Sequence, residues 1–126
     1  MRSQHPRGFT LIELLVVLAV VAMLLSVVAP RYIRQEDKAK EAVLKENLAG
    51  LRLALDQYYG DTGHYPEQLD QLVQARYLRK LPADPMTNQA VSWRLITLDQ
   101  DGHRVIYDVK SAAVGNGMDG TAYNTW

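Results

Sequence analysis

One carboxylate stands inside the longest apolar run of this chain. Glu13 follows Gly8-Phe9-Thr10-Leu11-Ile12, and no further ionisable side chain occurs before Arg31. An unpaired carboxylate in a membrane span costs roughly a few kcal/mol unless it lies at the interface. Glu13 is only about a turn inside the boundary, so snorkelling to the headgroups is one reading. A chemical reading starts from the Gly8–Phe9 bond. Hydrolysis there would give Phe9 a new α-amino group, four residues before Glu13. A helix N-terminus favours negative charge nearby. Within one helix the two groups make a local pair. Between two packed helices, the Glu13 carboxylate would meet the Phe9 ammonium of a neighbour, and both charges would be neutralised only in one register.

Other reactive side chains form no constellation. His5, His64 and His103 are far apart, whereas histidine zinc ligands usually come in close pairs, which argues against zinc. His64 and His103 read as exposed turn residues. Ser26 falls in the apolar run, and Ser92 and Ser111 have no His/Asp set near them. There is no P-loop, no G-x-G-x-x-G and no cysteine, so neither phosphate cradling, thiol chemistry nor disulfide closure is available. The 14 basic and 14 acidic residues balance, which gives no global field for nucleic acid. These features point away from an enzyme.

The elements that position Glu13 come next. Phe9 to Ala29 is long enough, at about 1.5 Å per residue, to cross a hydrocarbon core of about 30 Å. It exceeds a cleavable signal's h-region of about 7–15 residues and ends in Pro30-Arg31 rather than a small-residue cleavage site. A retained span is therefore expected, with a kink or local melting at Pro30. Flanking charge (Arg2 and Arg7 before; Arg31, Arg34, Lys38 and Lys40 after) would by itself put the C-terminal part in the cytoplasm.

Residues 31–59 repeat apolar side chains at helical spacing: Leu44, Leu48, Leu51, Leu55 and Tyr58, widened by Ala39, Val43 and Leu53. Glu36–Lys40 and Glu41–Lys45 have the favourable i, i+4 order. Most of these charges read as a solvated face; those between Arg31 and Lys45 would set register if helices packed together. Gly60 is the expected C-cap. Pro66-Glu67 suits the start of a short helix carrying Leu69, Leu72, Val73 and Leu78. Pro82 and Asp84-Pro85 force an extended loop. Trp93, Leu95 and Thr97 alternate in one run and Val105, Tyr107 and Val109 in another, with Asp101-Gly102 between them as a hairpin signal. The fold expected is α+β: a long N-terminal helix, transmembrane in its first half, packed on a short helix and a small antiparallel sheet.

Arg7-Gly8-Phe9-Thr10-Leu11-Ile12-Glu13-Leu14 resembles the class III signal of type IV pilins and of type II secretion pseudopilins. Tyr59, Asp61, Gly63, Tyr65 and Pro66, then Leu81-Pro82-Ala83-Asp84-Pro85, Tyr107-Asp108-Val109-Lys110-Ser111 and Trp126, extend the resemblance to the major, G-type pseudopilins over nearly the whole chain. Met86 departs from the aromatic usual in that family. The resemblance implies a leader at residues 1–8, an assembly helix at 9–29 and a periplasmic domain at 30–126. It implies cleavage between Gly8 and Phe9, N-methylation of Phe9, and a cytoplasmic N-terminus, against the charge count. The implied partners are membrane lipid, a prepilin peptidase, an inner-membrane platform with its ATPase, minor pseudopilins, and further copies in a helical filament. The filament would be a periplasmic pseudopilus for protein export. The alternatives are a surface type IV pilin for adhesion, motility or DNA uptake, and an unprocessed, membrane-anchored binding module.

The tail SAAVGNGMDGTAYNTW admits two readings. One is a loop held by packing of Tyr123 and Trp126. The other is a calcium clip, with Asp119, Asn116 and Asn124 joined by backbone carbonyls. Major pseudopilins are known for calcium in this loop, but theirs is longer and more acidic.

Overall fold

A computed structural model of the chain describes residues 8–88 and 93–126. Arg2, His5, Arg7 and Ser92 lie outside the described residues. In order, the elements are α1 (Leu11–Thr62), α2 (Asp70–Gln74), β1 (Arg94–Gln100), β2 (His103–Lys110) and a 3-10 turn at Tyr123–Thr125. The chain divides into two compact units, Met1–Asp37 and Lys38–Trp126.

In the first unit, every residue from Gly8 to Asp37 is exposed. Leu11, Leu15, Leu18 and Leu25 are each more than half exposed, so the apolar side chains of this stretch of α1 are left uncovered among the described residues. It is the one helix, among the described residues, long and apolar enough to cross a membrane. Helical structure continues through Pro30, so the expected local melting there does not occur. Pro30 still lacks an amide hydrogen, which removes one i→i−4 bond from the ladder.

In the second unit, α1 supplies the core stripe. Leu44, Leu48, Leu51 and Leu55 are buried, with Ala54, and pack with Leu72, Trp93, Ile106 and Val109. Tyr58, Leu69, Leu78 and Met86 cover the margins. Ala39, Val43 and Leu53 do not widen this stripe: all three are exposed. The helix runs past Gly60 to Thr62. Gly63 ends it instead, with φ 79° and its N–H on the Tyr59 carbonyl at 2.8 Å. Glycine adopts that left-handed backbone without a Cβ clash.

The short helix begins later than Pro66 suggests, because Pro66 has another role. It is fully buried, and its carbonyl accepts the Ile106 N–H of β2 at 2.8 Å. Asp101 and Gly102 both have positive φ, 53° and 82°, as a two-residue type I′ hairpin turn requires. β1 and β2 pair antiparallel from Gln100↔His103, but the register shifts between Ile96 and Thr97, whose partners are Asp108 and Ile106. Tyr107 is the extra residue of this bulge. The shift puts Ile106 and Val109 on one face, so both enter the core. The expected alternation Val105, Tyr107, Val109 is broken, and Tyr107 is exposed.

The proline-rich loop is tied down from three sides. Trp93 Nε1 donates to the Pro82 carbonyl at 2.8 Å, and Asn47 Nδ2 to that of Ala83 at 3.0 Å. Asp84 is wholly buried and accepts the Ser111 hydroxyl at 2.6 Å and the Met86 N–H at 2.9 Å.

Candidate functional site: the helix head and the C-terminal loop

Gly8, Phe9 and Thr10 precede α1 as non-helical, exposed residues. The Gly8–Phe9 bond is therefore not folded into the helix. Thr10 N–H donates to Glu13 Oε2 at 3.3 Å, and Glu13 N–H donates to Thr10 Oγ1 at 3.3 Å. The first intrahelical bond follows, from Leu14 N–H to the Thr10 carbonyl at 3.1 Å. This is a capping box: threonine at the N-cap and glutamate three residues later satisfy each other's orphan donors. Its sequence signal was in plain view, since [ST]-x-x-[DE] before an apolar run is the pattern for it. Cutting after Gly8 would leave both members in place. Glu13 thus has a local partner in the lone chain, besides any it gains from a neighbour.

The C-terminal loop lies against α1 in the second unit. Glu41, Lys45, Leu48 and Arg52 recur at i, i+4, i+7 and i+11, which is one helix face. Glu41 is 8 % exposed and its Oε1 accepts the Met118 N–H and the Tyr123 hydroxyl, each at 2.9 Å. The Lys45 ammonium sits 4.6 Å from the centre of the Trp126 ring. Arg52 donates through Nε to Asp108 Oδ1 at 2.9 Å, and through Nη2 to the carbonyls of Val109 and Trp126. Arg52 is therefore not part of a solvated face, and Glu41 and Lys45, expected to set register between packed helices, are engaged by the loop of their own chain. The i, i+4 pairing expected for Glu41 with Lys45 gives way to the loop, which offers Glu41 two donors out of water.

Within the loop, Asp119 Oδ1 accepts the Thr121 hydroxyl at 2.6 Å and the Thr121 N–H at 3.0 Å. Those bonds hold the Asp119 carboxyl below the usual carboxylate range, with help from the Lys45 charge. Thr121 Oγ1 also accepts the Trp126 indole N–H at 2.7 Å. Asn116 bridges to Ala122, and Asn124 lies in the 3-10 turn.

This donor set does not fit the expected calcium clip. Calcium takes about 6–8 oxygens. Asp119 is the loop's one acid after Asp108, and its Oδ1 is already engaged. The groove beside it is lined by two cations, Lys45 and Arg52. Among the described residues, no group of three or more His, Cys, Asp or Glu is gathered for a metal.

The remaining candidates find other places. His64 and His103, distant in sequence, line the same cleft of about 330 Å³. His103 Nδ1 meets Glu67 Oε1 at 3.0 Å, and His64 Nδ1 faces the Tyr65 carbonyl at 3.3 Å. Ser26 Oγ donates to the Met23 carbonyl within α1. Ser111 is spent on Asp84.

A capped, uncovered apolar helix leading into a small helix-and-hairpin unit defines a pilin-like subunit. Comparison with known proteins agrees. Residues 4–29 match the prokaryotic N-terminal methylation motif, and residues 31–124 match the family of type II secretion system protein G. The chain belongs to the type II secretion system protein G family, the major pseudopilins. It is 34 % identical to type II secretion system core protein G of Escherichia coli K12, over 87 % of this chain and 83 % of that one. To the protein of the same name from Pseudomonas aeruginosa it is 34 % identical, over 70 % and 73 %. To that of Aeromonas hydrophila it is 28 % identical, over 97 % and 90 %. No solved structure matches the chain significantly. The family is structural rather than catalytic, and its match favours the pseudopilus over the surface pilus.

Proposed function

We propose that this chain is inserted in the inner membrane through residues 9–29 with its N-terminus cytoplasmic and its C-terminal domain periplasmic. It is cut after Gly8 and N-methylated at Phe9. It is then stacked helix to helix into a periplasmic pseudopilus that supports protein export across the outer membrane. The observation that carries this reading is the exposed apolar stretch of α1 that lies within the N-terminal methylation motif at residues 4–29. Such a surface needs lipid first and other helices afterwards. Exposed Val43 and Leu53 extend the unpartnered apolar surface of α1 beyond the span. Pro30 is the flex point of the assembling helix. The prepilin peptidase, the platform with its ATPase, and minor pseudopilins are the partners this path requires.

In this reading Glu13 leaves its cap to pair with the Phe9 ammonium of the next subunit. Desolvated opposite charges in one register favour that exchange. Intact-mass measurement on protein from cells with an active prepilin peptidase tests the first half. Loss of Met1 to Gly8 plus one methyl group is expected, and full-length protein would instead indicate an unprocessed membrane-anchored module. Glu13→Ala tests the second half: insertion and cleavage should persist while filaments are lost.

A further inference from the structure

We propose that the C-terminal loop of this chain is clasped to α1 by Glu41, Lys45 and Arg52 and takes no divalent cation. The clasp has three attachments along one face of α1. At its start, the buried Glu41 carboxylate holds Met118 and Tyr123, residues on either side of the loop's tip. A charge-assisted acceptor with two donors is the stronger kind of hydrogen bond. In the middle, Lys45 lies over Trp126 and its charge acts on Asp119. At the end, Arg52 gathers Asp108, the Val109 carbonyl and the Trp126 carbonyl.

The loop's own polar groups complete the arrangement. A relay runs from the Trp126 indole N–H to Thr121 Oγ1 and from the Thr121 hydroxyl to Asp119 Oδ1. Gly117 permits it, because a Cβ there would stand 2.4 Å from a Trp126 ring carbon and 3.2 Å from Asp119 Oδ1. A divalent cation entering the groove beside Asp119 would meet one carboxylate and the Lys45 ammonium, with Arg52 already paired to Asp108. The groove therefore offers it no net negative charge. Lys45 supplies the positive charge that a bound ion would otherwise bring to Asp119. The inference concerns the folded domain and stands whether or not the chain is processed and assembled.

The test uses the full chain in detergent micelles. Thermal unfolding is followed by tryptophan emission in a calcium chelator and in about 5 mM calcium, above the ~10⁻⁴–10⁻³ M range of weak extracellular calcium modules. The two midpoints are expected to agree within about 2 °C. A larger rise with calcium overturns the proposal, since an ion bound only to the folded state must stabilise it. In parallel, amide hydrogen exchange is read over residues 112–126. Lys45→Met and Glu41→Gln are each expected to speed exchange there by about tenfold or more while β1 and β2 keep their protection. Unchanged loop protection in both variants overturns the clasp. If Glu41→Gln does not fold, Lys45→Met and the calcium arm on the unaltered chain still decide the question.

Discussion

Thr10 and Glu13 close the same helix end from both sides, each accepting the other's backbone N–H at 3.3 Å. Those bonds are long, near the limit of useful hydrogen-bond geometry. The cap therefore holds the carboxylate lightly. It gives Glu13 a place in the single chain without competing strongly against a charged partner.

This arrangement separates two reasons for keeping Glu13. Glutamine also serves at the third position of a capping box, so Glu13→Gln preserves the cap and removes only the charge. We expect this variant to insert and to be cleaved normally, yet to assemble at least about tenfold less, a difference of ~1.4 kcal/mol. The readout is the yield of cross-linked or sheared filament. Normal assembly would show that capping alone explains the residue. Thr10→Val should fray the first turn and lower assembly less than Glu13→Gln does.

Ser111 and Asp84 pair inside the core at 2.6 Å, with neither side chain exposed. The pair links the end of β2 to the proline-rich loop. Ser111→Ala leaves a buried carboxylate short of a donor and should cost about 1–3 kcal/mol. Asp84→Ala strands both the hydroxyl and the Met86 N–H and should cost about 2–4 kcal/mol. Urea unfolding of the two variants checks both the sizes and their order.

Gly117 is the tightest point of the C-terminal loop. Gly117→Ala must displace the Trp126 ring, and overpacking of this kind should cost about 1–3 kcal/mol. The Trp126 emission should shift toward solvent-exposed wavelengths, while Trp93, whose indole is bound to Pro82, should not change.

Asp119 makes the loop sensitive to acid. Its carboxyl is held below the usual value of 3.8, first by the Thr121 hydroxyl and then by the Thr121 N–H. A lowered folded-state value means that the unfolded chain binds the proton more readily. The contribution is therefore complete above the usual value and is lost as pH falls through the lower folded one. NMR titration should show the Thr121 amide moving at the depressed value, and Thr121→Val should bring Asp119 back toward the ordinary range.

Much of this protein was legible from local pattern. The long apolar helix, the core stripe Leu44 to Leu55 and the Asp101-Gly102 turn follow periodicity and turn chemistry set within a few residues, which sequence spacing records directly. The capping box is equally legible, since Thr10 and Glu13 stand three residues apart at the head of the apolar run. Gly60 looked like the helix end because glycine suits it, but Gly63 suits it too, and nothing within a few residues distinguishes them.

What required the tertiary structure were pairings between distant segments. The bulge at Tyr107 turns Ile106 inward because β1 pairs with a shifted register there. Pro66 became a strand neighbour instead of a helix start because the Ile106 N–H needed an acceptor. In sequence Arg52 reads as part of a solvated face and Glu41 and Lys45 as register-setting charges between helices, whereas in the fold a loop 74 to 82 residues away engages all three. A charge on a helix looks the same in sequence whether water or another segment faces it. Only the fold says which, because burial is a property of contacts between residues far apart in the chain.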